Sequence, residues 1–212
     1  MAITRLGGAN AITGTLPAAN INATSLGNVD VGSWIKLAET NVTSSTASVE
    51  FTDATTGVFD GTYRSHIILV NRLNPTTANR VLLLTMRNAA DGSYFSSSYA
   101  TVSRSIDSSG NIVTLNTTSG AEVTTLGSDA GMGDGSGEYG TSCIIYCNDF
   151  FDSGMPPSVF GFGTFSKQSG YNAINQFSGT YRDTSTQIYG VKLAFNSGSI
   201  DQGNFRIYGV AE

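Results

Sequence analysis

Charge is scarce in this sequence. Of 212 residues, 11 are Lys or Arg and 16 are Asp or Glu, so 13% are charged, against a usual share of about 25%. A net charge of −5 disfavours nucleic acid as a partner, because phosphate binding needs grouped Lys and Arg to displace counterions. Histidine occurs once, at His66, which excludes a metal motif built on two imidazoles. Cysteine occurs twice, at Cys143 and Cys147, inside a segment that reads as one strand. Four residues at about 3.3 Å each set them roughly 13 Å apart, too far for a disulfide, which needs Cα atoms within about 7 Å. Two free thiols suit a reducing compartment during synthesis, and a thiolate metal site lacks further ligands. The longest apolar runs, Ile67 to Val70 and Val81 to Leu84, are too short to cross a bilayer. No continuous apolar segment follows Arg5, so export through a signal peptide is not expected.

What is present is apolar and β-forming. Hydrophobic residues make up 40% of the chain, enough for one packed core. From Trp34 onward, short runs rich in β-branched and aromatic residues alternate with Gly, Ser, Asn, Asp and Pro clusters. The strand candidates are Trp34 to Thr40, Ala47 to Phe51, Tyr63 to Leu73, Arg80 to Met86, Tyr99 to Ser105 and Ile112 to Leu115. They continue with Ser142 to Asn148, Val159 to Lys167, Asn172 to Tyr181, Gln187 to Asn196 and Asn204 to Val210. Asp91-Gly92 and Ser109-Gly110-Asn111 read as hairpin connections. Near the end, Tyr189, Val191, Leu193 and Phe195 share one face by strand alternation, with Gly190 and Lys192 on the other. Many short antiparallel strands without a convincing helix predict an all-β domain, a jelly-roll-like antiparallel β-sandwich over residues 33–212.

Residues 1–32 differ. They hold no aromatic residue and two charges, Arg5 and Asp30, while Ile12, Leu16, Pro17, Ile21, Leu26 and Val29 are scattered among Gly, Asn, Thr and Ala. Neither a helical nor a strand period fits. Such a segment cannot bury itself, yet its apolar residues are unlike those of a solvating linker. It reads as an extended N-terminal arm for assembly or attachment, with those six residues as the contact set. Fully extended it reaches on the order of 100 Å, far enough to dock on a neighbouring subunit.

Few residue sets carry chemistry. Gly135-Ser-Gly-Glu-Tyr-Gly140 has the spelling of a dinucleotide loop, but such a site needs a strand before and a helix after it, and here a strand follows; no cofactor is expected. Six glycines within residues 127–140 predict a long mobile loop at an exposed tip. Its Asp129, Asp134, Glu138 and Tyr139 are the candidate ligand-binding residues; the acidic spacing lacks the oxygen ladder of a calcium loop, so no metal is assigned. His66 falls inside a strand and reads as a packed histidine, so no Ser–His triad is expected. Asp149 and Asp152 beside Phe150 and Phe151 would be the acid pair of a glycan-cleaving enzyme, but acid pairs on loops are common and no enzyme is expected. Trp34, Tyr94, Phe95, Tyr99 and Tyr171 could stack on a glycan, although aromatics in a sandwich usually fill the core or an interface.

Two segments carry a resemblance. Gly14-Thr-Leu-Pro-Ala-Ala-Asn-Ile-Asn-Ala-Thr-Ser-Leu-Gly-Asn-Val29 resembles a stretch of virion structural proteins of tailed bacteriophages, marine phages especially, where it precedes a β-rich head domain. Gly203-Asn-Phe-Arg-Ile-Tyr-Gly-Val210 resembles the closing strand of small phage sandwich domains. Together they cover 24 of the 212 residues. The resemblance implies a non-enzymatic particle component assembled in the host cytoplasm, a capsid decoration protein or a tail-fibre-like appendage. It further implies a homotrimer whose partners are other capsid or tail proteins. A receptor-binding module that recognises a host-surface glycan is the alternative.

Overall fold

The computed structural model describes residues 34–88, 92–126, 131–134, 141–151, 154–182 and 187–210. Among the described residues there are twelve strands and no helix: β1 (Trp34–Val42), β2 (Ser48–Thr52), β3 (Ser65–Pro75), β4 (Leu82–Asn88), β5 (Tyr99–Asp107), β6 (Ile112–Gly120), β7 (Val123–Leu126), β8 (Thr141–Asn148), β9 (Ser158–Ser166), β10 (Asn172–Tyr181), β11 (Ile188–Phe195) and β12 (Ile200–Val210). The strands follow the two-residue side-chain period. Along β8, for example, Cys143, Ile145 and Cys147 are buried while Ser142, Ile144 and Tyr146 are half-buried on the other side.

Two antiparallel sheets form, ordered β1-β12-β3-β8-β9-β10-β5-β6 and β2-β11-β4-β7. Set aside β5, β6, β9 and β10, and the remaining eight strands pair from the outside in: β1 with β12, β2 with β11, β3 with β8 and β4 with β7. That is one long hairpin, rolled until β12 also pairs with β3 and β11 with β4. This wrapping is a jelly-roll sandwich, as the sequence predicts. The β9–β10 and β5–β6 hairpins then extend the larger sheet beyond β8. Between the sheets lie Phe51, Val70, Leu84, Met86, Ile145, Phe165, Val191, Leu193 and Phe205, all buried. Tyr99 is fully buried too, its hydroxyl accepting the Met86 N–H at 2.7 Å.

The structure corrects four details of the sequence reading. β7 was not expected: Val-Thr-Thr-Leu is too short to show a period and sits in a Gly- and Ser-rich stretch. Tyr189 does not share the core face with Val191. A bulge between Ile188 and Val191 shifts the register, and Ile188 takes the buried position. The turn at Gly92 (φ +71) does make a hairpin-type return, with the Asn88 N–H donating to Ser93 O and Tyr94 bridging Arg87, but the returning chain is this short bridge and not β5, which lies in the other sheet. By contrast Ser109-Gly110-Asn111 does close the β5–β6 hairpin. Its Asp107 carboxylate accepts the backbone N–H groups of Ser109 and Asn111, each at 3.0 Å. The fourth correction concerns the glycine-rich segment. Residues 131–133 are buried rather than at an exposed tip: Met132 bridges to both Arg80 and Lys167, and the Gly133 N–H donates to Ser166 O.

Candidate functional site

Among the described residues, those singled out in the sequence for chemistry do not converge. His66 is 1% exposed, its Nε2 lying 2.9 Å from Gly57 O and 3.3 Å from the Phe59 backbone N, under the Phe59 ring. Burial holds its pKa below the ordinary value, so it is a neutral core imidazole. Cys143 and Cys147 are free and buried, and burial pushes both thiols far up, which keeps them protonated and unreactive. Asp134 is exposed. Asp129, Glu138, Tyr139 and Asp152 lie outside the described residues, as do the arm positions Ile12, Leu16, Pro17, Ile21, Leu26 and Val29. Among the described residues no three His, Cys, Asp or Glu side chains come together.

One concave polar feature involves a residue picked out from sequence. Asp149 (φ +58), at the end of β8, lines a cavity of about 310 Å³ with Gly61, Tyr63, Arg64 and Phe151. Phe151 meets Tyr189 edge-on at 5.4 Å. Aromatic walls beside a guanidinium and a carboxylate are the groups that grip a sugar ring and its hydroxyls.

The larger feature is a surface, and it emerges from comparing the outward faces of the sandwich. On the small sheet the outward face is wet and paired. Tyr94 Oη donates to Glu50 at 2.7 Å, Lys192 Nζ sits 4.4 Å from the Tyr94 ring centroid, and Arg87 pairs with Asp53 at 2.8 Å. The β1–β12 end of the large sheet is similar. Glu39 there accepts from Asn204 at 2.7 Å and pairs with Lys36 and Arg206 at 3.1 Å, contacts that hold its carboxyl down at about 2.

The extension formed by β9, β10, β5 and β6 differs in its outward face. Outward it carries Phe160, Phe162 (55% exposed), Ile174 (56%), Val102, Ile106 and Ile112 (54%). The register lines them up. Ile174 stands opposite Ile106, and Ile106 opposite Ile112. Phe162 stands opposite Ile144, and Phe160 stacks on Tyr146 at 4.8 Å and 10°. Leu69, Ile144, Phe162 and Ile174 border an open groove of about 420 Å³. Inward, the same strands place polar groups among the core side chains of Tyr99, Val159, Phe165 and Phe177. Ser103 Oγ donates to Asn175 Oδ1 at 3.2 Å, and Asn175 Nδ2 donates to Thr125 O at 3.0 Å. Lys167 pairs with Asp107 at 2.8 Å, both side chains nearly fully buried. The ammonium, with the Ser109 hydroxyl, holds the Asp107 carboxyl well below the usual range. β9 shows why the large residues point out. A Cβ at Gly161 would strike Ile144 O and the Phe177 ring, and one at Gly163 would meet Ser142 O and the Cys143 side chain. The inward side of this strand therefore has no room for a side chain at Gly161 or Gly163, while Val159 and Phe165 on the same side fill the core.

The sequence analysis placed β9 and β10 correctly but did not orient them. Phe160-Gly-Phe-Gly163 carries the signal: period two puts both rings on one face and both glycines on the other. Which face is which depends on Phe177 and Ile144, distant in sequence. No family model matches this chain, and no curated protein or solved structure matches it either.

Proposed function

We propose that this chain is a non-enzymatic structural protein of a tailed-phage particle, which decorates or stabilises the shell as a homo-oligomer and attaches to other virion proteins through residues 1–32. The observation that carries the reading is the outward face of the extension of the large sheet, which turns six large apolar side chains to solvent although its inward face already contributes to the core. An exposed apolar patch of this extent is the mark of a surface that another molecule covers. The resemblance of residues 14–29 and 203–210 to phage virion proteins supplies the setting, and the jelly-roll sandwich is compatible with it. Attachment through the arm is tested by deleting Met1 to Gly32: the sandwich should stay folded while incorporation into particles is lost. Undiminished incorporation would overturn the role given to the arm.

The cleft of Tyr63, Arg64, Asp149 and Phe151 favours a second reading, a tail-fibre or receptor-binding module that recognises a host-surface glycan. In that case the isolated domain binds host cells, and Arg64→Ala abolishes the binding while leaving the thermal unfolding midpoint in place. Cell binding equal to that of an unrelated sandwich domain would dispose of it.

A further inference from the structure

We infer that the outward face of β9, β10, β5 and β6, continued onto β8, is where two copies of this chain meet. The inference deepens the proposed structural role and rests on it in one respect, that the protein works as an assembly of copies. Three observations select a second copy as the occupant.

The first is charge. Across β5, β6, β9 and β10 the charged residues are Arg104 and Asp107, and Asp107 is buried against Lys167. The carboxylates elsewhere, such as Glu39, Glu50 and Asp53, sit on the other outward surfaces. A surface can be covered by its own copy only if like charges do not meet across it. This one offers a single guanidinium, on a side chain long enough to reach the rim. A partner recognised by charge would find almost nothing to read.

The second is area. Five strands about 4.8 Å apart, each about nine residues long at about 3.3 Å, make a face of roughly 24 by 30 Å, or on the order of 700 Å². That is close to the ~800 Å² each partner contributes to a stable interface. A sheet face with apolar side chains turned outward can pack on another such face as the two sheets of a sandwich do.

The third is the sheet edge. β6 ends the large sheet, seven of its nine residues are exposed, and it contains no charge and no proline. At the opposite edge β1 carries Lys36, Glu39 and a bulge between Lys36 and Ala38, devices that keep an edge from pairing. The unguarded edge adjoins the apolar face, and a second copy seated there shields both.

The test is the mass of the full chain in solution, by light scattering or sedimentation over a range of concentrations. The wild type should run above the monomer mass. F160T/F162T/I174T keeps β-forming side chains at outward positions and should weaken association at least about tenfold with its circular dichroism unchanged. Ile112→Glu, a charge at an exposed edge strand, should do the same if the triple variant folds poorly. Lys192→Ala, on the small sheet, should leave the mass as it is. Deleting Met1 to Gly32 should lower the mass only by that of the missing residues and leave the number of copies per assembly unchanged, which separates this interface from the arm. A monomeric wild type, or variants that associate as the wild type does, would overturn the inference. Absence from virions with association intact would instead overturn the phage reading.

Discussion

Inward and outward phenylalanines on β9 should respond unequally to truncation. Phe165 is 1% exposed in the core, whereas Phe162, three residues earlier, points outward at 55%. Removing a buried phenylalanine side chain costs about 3–5 kcal/mol, from lost transfer energy plus the residual cavity. For a domain of this size each kcal/mol moves the thermal midpoint by about 2–4 °C, so Phe165→Ala should lower it by on the order of 10 °C. With a urea slope of about 2 kcal/mol/M the denaturation midpoint falls by roughly 2 M, at constant slope. Phe162→Thr removes a side chain that contacts mostly solvent within one copy, so its intrinsic cost is within about 0.5 kcal/mol. Where copies associate, folding is linked to assembly, and Phe162→Thr should lower apparent stability only at concentrations that populate the oligomer. Urea unfolding followed by tryptophan fluorescence or far-UV circular dichroism, repeated across a dilution series, separates the two. A loss for Phe162→Thr that matches Phe165→Ala and persists on dilution would refute the orientation of β9 and with it the exposed apolar face.

Other outcomes follow from the same structure. Gly161→Ala places a methyl against Ile144 O and the Phe177 ring, and overpacking of this kind should cost about 1–3 kcal/mol in a urea melt. Acid sensitivity should appear in two stages. Burial lowers the His66 pKa, so the unfolded chain takes up a proton near 6.5 that the folded one resists, and stability declines as pH falls below about 6.5. Asp107 and Glu39, also lowered, add a second decline below about pH 4, where unfolded carboxyls protonate first. His66→Gln should flatten the first stage and leave the second, as read from midpoints between pH 3 and 8, taken as roughly the span of these carboxyl and imidazole pKa values. Both cysteines should resist a thiol reagent in the native protein and react fully in denaturant; rapid native labelling would contradict their burial.

Much of this fold is readable from sequence because strand formation is local. β10, with Ala173, Asn175, Phe177 and Gly179 on one side and Ile174, Gln176 and Ser178 on the other, shows its period directly, and its bounds match. Sheet membership is not local. That β12 sits between β1 and β3, or that β5 pairs with β10, depends on how the long hairpin rolls. Facing is harder still where bulges intervene, as at Tyr189, or where the inward side of a strand is filled by a neighbour, as Phe177 and Ile144 fill it at Gly161. The sequence reading looked for function among acidic residues of the glycine-rich stretch. The structure instead buries Met132 in that stretch and leaves the outward hydrophobic residues of the extension, such as Phe162 and Ile174, uncovered. Hydrophobic residues on strands are read by default as core. The extension instead carries apolar residues on both faces, Phe165 and Phe177 inward and Phe162 and Ile174 outward, with Ser103, Asn175 and Asp107 among the buried inward set.

The central claim is that the protein is a structural part of a particle. It is tested most directly by the copy number of this protein per purified virion, measured by quantitative mass spectrometry against the major capsid protein. The account predicts a number comparable to that of the capsid protein; a few copies would move the protein to the tail or a vertex and favour receptor recognition, and complete absence from the particle would contradict the account.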